Sequence, residues 1–227
     1  MLKATSFVTT AAFALAAATS QAATINWGAP QDLTSKNDIH IAAGGVHSAF
    51  NGGDVDDDIE VFLVPGAGPD GTPGDLLFEG YNPFGFAGFG LLTDVATPGT
   101  SGDSQFDLVL NQASIGGGTS TTQQVAEDLT PGVTYDIQIF FLDLRNPARD
   151  LGLDGQVQLD AIGSGLGQFA IGSFVADAST QSVDFAAINH GNVHLVAGVI
   201  SAVPEPTTGL LLSSLGGVAL LRRNRRA

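Results

Sequence analysis

The chain has 227 residues, 30 of them glycine and none cysteine, and only 14% are charged. The missing cysteines exclude a disulfide framework, a thiolate metal site and a cysteine nucleophile. The formal net charge is −15, and between residues 23 and 203 Lys36, Arg145 and Arg149 are the only lysine or arginine side chains. So acidic a body repels phosphate backbones, which excludes nucleic acid as a partner class.

Residues 1–22 have the anatomy of a secretory signal peptide. Lys3 supplies a positive start, Phe7 to Ala18 a short apolar helix, and Ser20 and Ala22 the small residues of a cleavage site. The cut is expected after Ala22, so the exported body is residues 23–203.

The body alternates apolar and polar residues with period two, which reads as strands half-buried on one face. In chain order the strand candidates are Thr24–Trp27, Asp38–Ala42, Ile59–Val64 and the Phe106, Leu108, Leu110 alternation. Next come Gln123–Leu129, Tyr135–Phe141, Val157 with Leu159, Phe169–Val175, the Val183, Phe185, Ala187 alternation and Val193–Ser201. Turn signals such as Asn51-Gly52-Gly53, Pro131-Gly132 and Asp154-Gly155 separate them. With no stretch of helical period between them, these strands predict an all-β body. Its expected form is an antiparallel β-sandwich or jelly roll with Trp27 in the core. The run Leu129-Thr130-Pro131-Gly132-Val133-Thr134-Tyr135 resembles a motif of sandwich modules in exported bacterial proteins, in which a Pro-Gly turn feeds a strand with Tyr at its base.

Three groups of residues bear on chemistry. Asp54, Asp56 and Asp58 offer alternate hard oxygen ligands for Ca²⁺, to be completed by Asp70, Asp75, Asp150 or Asp154; the other reading is a solvated acidic loop. An EF-hand would want glycine and glutamate where Ile59 and Pro65 stand. Tyr81, Phe84 and Phe86, with Phe89, lie in a glycine-rich segment where rings either stack on sugars or plug the end of the sandwich. His190 and His194 are four apart, but Gly191-Asn192 reads as a turn, so no helical metal pair is expected; His40 and His47 are isolated. No Gly-x-Ser-x-Gly elbow stands in a strand-turn-helix setting. Carboxylates for a glycoside hydrolase are plentiful, yet nothing singles out two of them, so the body is expected to be non-catalytic.

The C-terminus combines three parts in order. Pro204-Glu205-Pro206 favours an extended backbone. Thr207 to Leu221 is an apolar run, roughly 22 Å long as a helix and therefore short against about 30 Å of hydrocarbon. Arg222, Arg223, Arg225 and Arg226 form a basic stop that should stay cytoplasmic. Together, residues 204–227 resemble the PEP-CTERM sorting signal of Gram-negative bacteria. The resemblance implies an exosortase-type membrane enzyme as partner and a transient inner-membrane stage through the short transmembrane helix. It also implies a final place at the cell surface or in the exopolysaccharide matrix of a biofilm. The function so expected is that of a structural or carbohydrate-binding component, with a polysaccharide hydrolase or a Ca²⁺-stabilised adhesion module as alternatives.

Overall fold

The computed structural model describes residues 22–52, 58–63, 75–80, 101–116, 118–143, 149–161, 165–189 and 191–204. The strands begin with β1 (Asn26–Trp27), β2 (Gln31–Asp32), β3 (Val46–Asn51), β4 (Ile59–Phe62) and β5 (Asp75–Gly80). After helix α1 (Ser104–Leu110) come β6 (Ser114–Gly116), β7 (Ser120–Ala126), β8 (Thr134–Phe141), β9 (Asp150–Leu153) and β10 (Val157–Leu159). The last four are β11 (Gln168–Val175), β12 (Gln181–Ile188), β13 (Val193–Leu195) and β14 (Ala197–Val203). The architecture is all-β with one short helix among the described residues.

The largest sheet runs β1-β11-β8-β14-β3-β5-β4, with β2 also on β11; a second runs β10-β9-β12-β7, and β13 pairs with β6. Side chains opposite one another across the ladder share a face. Tyr135, Ile137 and Ile139 of β8 thus lie on one face with Phe174, Gly172 and Ala170 of β11. Trp27, opposite Gly172, is on that face too. Its indole Nε1 donates to Asp154 Oδ2 at 2.7 Å, which ties the large sheet to the turn after β9 in the second sheet. Buried residues of both sheets belong to one hydrophobic cluster. Trp27 is only partly buried against it, so it acts as a clamp rather than as a core plug.

The other face of β8 carries Asp136, Gln138 and Phe140, and it is covered as well. The Phe106 ring of α1 meets Phe140 edge-on at 5.6 Å. Residues 39–42 cross the rest of this face. The His40 N–H donates to Gln138 Oε1 at 2.7 Å and the Ala42 N–H to Ser201 Oγ at 3.0 Å.

Besides Trp27, four expectations change. The Asp38–Ala42 segment is extended but is no strand: Ser35 caps a 3-10 turn at Lys36–Asp38, and side chains from the sheet below satisfy its alternate N–H groups. The Phe106, Leu108, Leu110 alternation belongs to α1. That helix buries Phe106, Val109 and Leu110, three and four residues apart, and leaves Leu108 half exposed. Asp103 starts it by accepting from the N–H groups of Gln105 and Phe106. The Val193–Ser201 run divides at Val196 between two sheets, as β13 and β14. Pairing is not wholly antiparallel, because β3 and β5 run parallel through Phe50↔Glu79 and Asn51↔Gly80. The sheet is therefore mixed.

Close packing in the large sheet depends on a missing side chain. A Cβ on Gly198 of β14 would lie 2.5 Å from Phe50 Cζ and 3.0 Å from the Gln138 carbonyl oxygen. Phe50 is opposite Gly198 on β3 and is 4% exposed, so its ring has little room to retreat. Gly198→Ala should cost about 1–3 kcal/mol by overpacking, read as a lower urea midpoint with an unchanged slope.

Candidate functional site

The C-terminal strand governs how the body presents its tail. β14 pairs with β8 from Ala197↔Phe140 to Val203↔Thr134 and with β3 on its other side. The register with β3 shifts at Ile200/Ser201, where His47 is the extra residue on β3 and Ser201 pairs with Val46. Gly44 and Gly45 then take over that side. The Gly44 N–H donates to the Ala202 carbonyl at 3.0 Å, and the Ala202 N–H donates to Gly45 O at 2.9 Å. A Cβ on Gly44 would collide with that same carbonyl, so the approach requires glycine. Backbone is thus held on both sides as far as Ala202, and on the β8 side as far as Val203. Pro204 is exposed and has no N–H to continue the ladder.

The neighbourhood of this exit is rigid. Tyr135, opposite Ala202, is 4% exposed and stacks on Phe174 at 5.8 Å. Its hydroxyl accepts from the Thr130 N–H at 3.1 Å, before the Pro131-Gly132 turn. Gly132 has φ +88°, a left-handed conformation that a Cβ would strain. The Pro-Gly turn and the Tyr at the strand base thus stand as the sequence motif suggests.

Residues 202–226 match the family model of the PEP-CTERM protein-sorting motif. The chain carries that sorting motif. The match starts on the last two residues of β14, so the PEP-CTERM segment leaves the body directly from a paired strand with no linker. It implies processing by an exosortase-type enzyme. No curated protein and no solved structure matches the chain.

Glu205, Pro206 and Arg222, Arg223, Arg225 and Arg226 lie outside the described residues, as do Ser20, Asp54, Asp56, Tyr81, Phe84, Phe86 and His190. Asp58 is exposed at the start of β4, and its Oδ1 accepts from the Gly80 N–H at 3.1 Å, across the end of β5. Asp150 accepts from the side chains of Gln158 and Asn189 and from the Ala161 N–H. Asp154 accepts from Trp27 and from the Asp184 N–H. Among the described residues no cluster of three or more His, Asp or Glu is suited to a metal ion. None of their helices is long and apolar enough to cross a membrane. His40 Nε2 lies 2.9 Å from Asp136 Oδ2, and His47 Nε2 lies 2.7 Å from the Glu127 carbonyl.

A buried charged group escapes sequence reading. Asp143 and His194 are both 1% exposed, with 3.8 Å between Asp143 Oδ2 and His194 Nε2 and the same distance to Arg149 Nη1. The imidazole rests on Phe141 at 4.6 Å and is 3.3 Å from the Leu142 carbonyl. Here Asp143 after β8, Arg149 before β9 and His194 of β13 are brought together. His194 could not be assigned this role from its spacing to His190, because its partners lie in other strands.

Lys36 Nζ meets Asp103 Oδ2 at 2.6 Å and fastens the 3-10 turn to the start of α1. Burial works against ionisation of Asp103. The Lys36 side chain and the N–H groups of Phe106 and Gln105 outweigh it, holding the carboxyl below its ordinary 3.8. At Asp38 burial also opposes, and the Thr34 hydroxyl with the N–H groups of Thr34 and Ser35 again wins. A carboxyl depressed in the folded state lends stability that is complete above the unfolded value and disappears as pH falls through the folded value. Thermal melts should therefore hold above about pH 4 and decline below it, and Asp103→Asn should flatten part of that decline.

Proposed function

We propose that this is an exported surface protein whose C-terminal signal is processed by an exosortase-type membrane enzyme at Pro204-Glu205-Pro206. The enzyme releases a non-catalytic structural or carbohydrate-binding body to the cell surface or the exopolysaccharide matrix. The observation that carries this reading is the sorting-motif match at residues 202–226, continuous with β14. An extended peptide fits a protease-like cleft, and the central strand behind it fixes one end of that peptide. A marginal apolar span and four terminal arginines would hold the precursor with its body outside. The non-catalytic part of the reading is supported by the structural roles of the described acids. Asp38, Asp103, Asp143, Asp150 and Asp154 each hold turns, caps or ion pairs in place.

Pro204→Ala, Glu205→Ala and Pro206→Ala combined should leave membrane insertion intact, because the apolar run and arginines are unchanged. Maturation should stop, so that full-length protein accumulates in the inner membrane of a host that has the processing enzyme. Immunoblots of membrane and surface fractions read the outcome. If the triple variant reaches the surface with the same shortened tail as wild type, the processing role fails and the segment is only an anchor.

A further inference from the structure

We propose that the second sheet carries a docking site for the chain's own N-terminal ammonium, created when the signal peptide is cut between Ala22 and Ala23. The inference rests on the export reading above and concerns the opposite end of the chain. A pocket of about 400 Å³ is lined by Ala22, Ala23, Thr122, Asp154, Ser182 and Asp184, among others. Two carboxylates thus share the cavity with the bond to be cut, and no cationic side chain lines it among the described residues.

The new terminus is already held. Gln181 Nε2 donates to the Ala23 carbonyl at 2.8 Å, and Gln156 Nε2 to the Ile25 carbonyl at 3.1 Å. Ile25 is 2% exposed, and β1 begins at the next residue, on the edge of the large sheet. The nitrogen of Ala23 is therefore only two bonds from a fixed carbonyl carbon and cannot fray like an ordinary chain end.

A second observation points to a missing donor. Gln181 is 1% exposed, and its Oε1 has no hydrogen-bond partner among the described residues although its Nε2 is engaged with Ala23. A buried amide oxygen without a donor is costly. In the uncut precursor Ala23 offers one uncharged N–H. Cleavage adds water across the amide: hydroxyl goes to the Ala22 carbonyl carbon, and the nitrogen, taking up a further proton, becomes an ammonium with three donors. That ammonium supplies the donor that Gln181 Oε1 lacks and the positive charge that Asp184 and Asp154 lack. Asp154 is already bound to Trp27 and to the Asp184 N–H, and Asp184 Oδ1 accepts from the Thr122 hydroxyl. Both acids are thereby oriented before cleavage. Export and closure of the N-terminal edge would be coupled, since the body gains this ion pair only once the signal is gone.

The test uses residues 23–227 in detergent, released from a cleavable tag so that Ala23 is the first residue whatever the export machinery does. Three forms are compared: free amine, N-acetylated, and extended by one glycine. Acetylation and extension should each lower the melting temperature by about 2–4 °C. The loss should shrink by more than half in Asp184→Asn and in 1 M NaCl, where charge pairing is screened. Equal melting of free and acetylated forms would overturn the proposal, as would an acetylation effect undiminished in Asp184→Asn. Intact mass of the exported protein supplies the cellular arm. A first residue other than Ala23 rejects the site in the cell. Tail processing is scored at the C-terminus, so the two readings fail separately.

Discussion

From Ile137 to Phe141, strand β8 is buried on both faces, and the rest of the molecule is arranged around that constraint. One face carries Tyr135, Ile137 and Ile139 toward the second sheet; the other carries Gln138 and Phe140 under α1 and the 39–42 segment. A buried glutamine has to find partners, and Gln138 finds them by binding the Asp38 carbonyl and the His40 N–H on either side of one short segment. The segment is thereby laid flat over the sheet without a strand neighbour. Its beginning is tied to α1 through Lys36 and Asp103. Two polar side chains in the centre of the sheet, Gln138 and Ser201, thus specify where the covering segment lies.

The sequence is readable where structure is local. Phe169–Val175 and Tyr135–Phe141 alternate over a full strand length and form strands shifted by no more than one residue. The all-β class comes from those runs and from the turn residues between them. Legibility fails where a short apolar pattern satisfies two periods. Phe106, Leu108 and Leu110 fit a strand; Phe106, Val109 and Leu110 fit a helix, and only the capping residue Asp103 distinguishes them. The split of Val193–Ser201 could not be seen, since both halves are buried, no turn residue divides them and their different partners are remote in sequence. Nor could the parallel β3–β5 pairing, which tertiary packing alone decides.

The same division separates the candidate sites. The sorting motif is contiguous and is legible from residue order alone. Its setting is not: only the structure places Gly44 and Gly45 beside Ala202 and so fixes the strand from which the motif departs. The N-terminal pocket gathers residues from the start of the body, β7, the β9–β10 turn and β12, each unremarkable in isolation. Trp27 reads as a core residue from its size and instead spans the two sheets to reach Asp154.

The central place of β14 also bears on timing. An exported chain emerges from its N-terminus, and among the described residues β14 is the last strand to appear. Until it arrives, β8 and β3 have no strand between them, and the large sheet exists as two unjoined pieces. Joining distant segments late makes assembly depend on long-range closure. The sheet is completed by the same few residues that deliver the PEP-CTERM segment to the membrane. The moment at which the body becomes whole therefore coincides with the moment at which its sorting signal first becomes available.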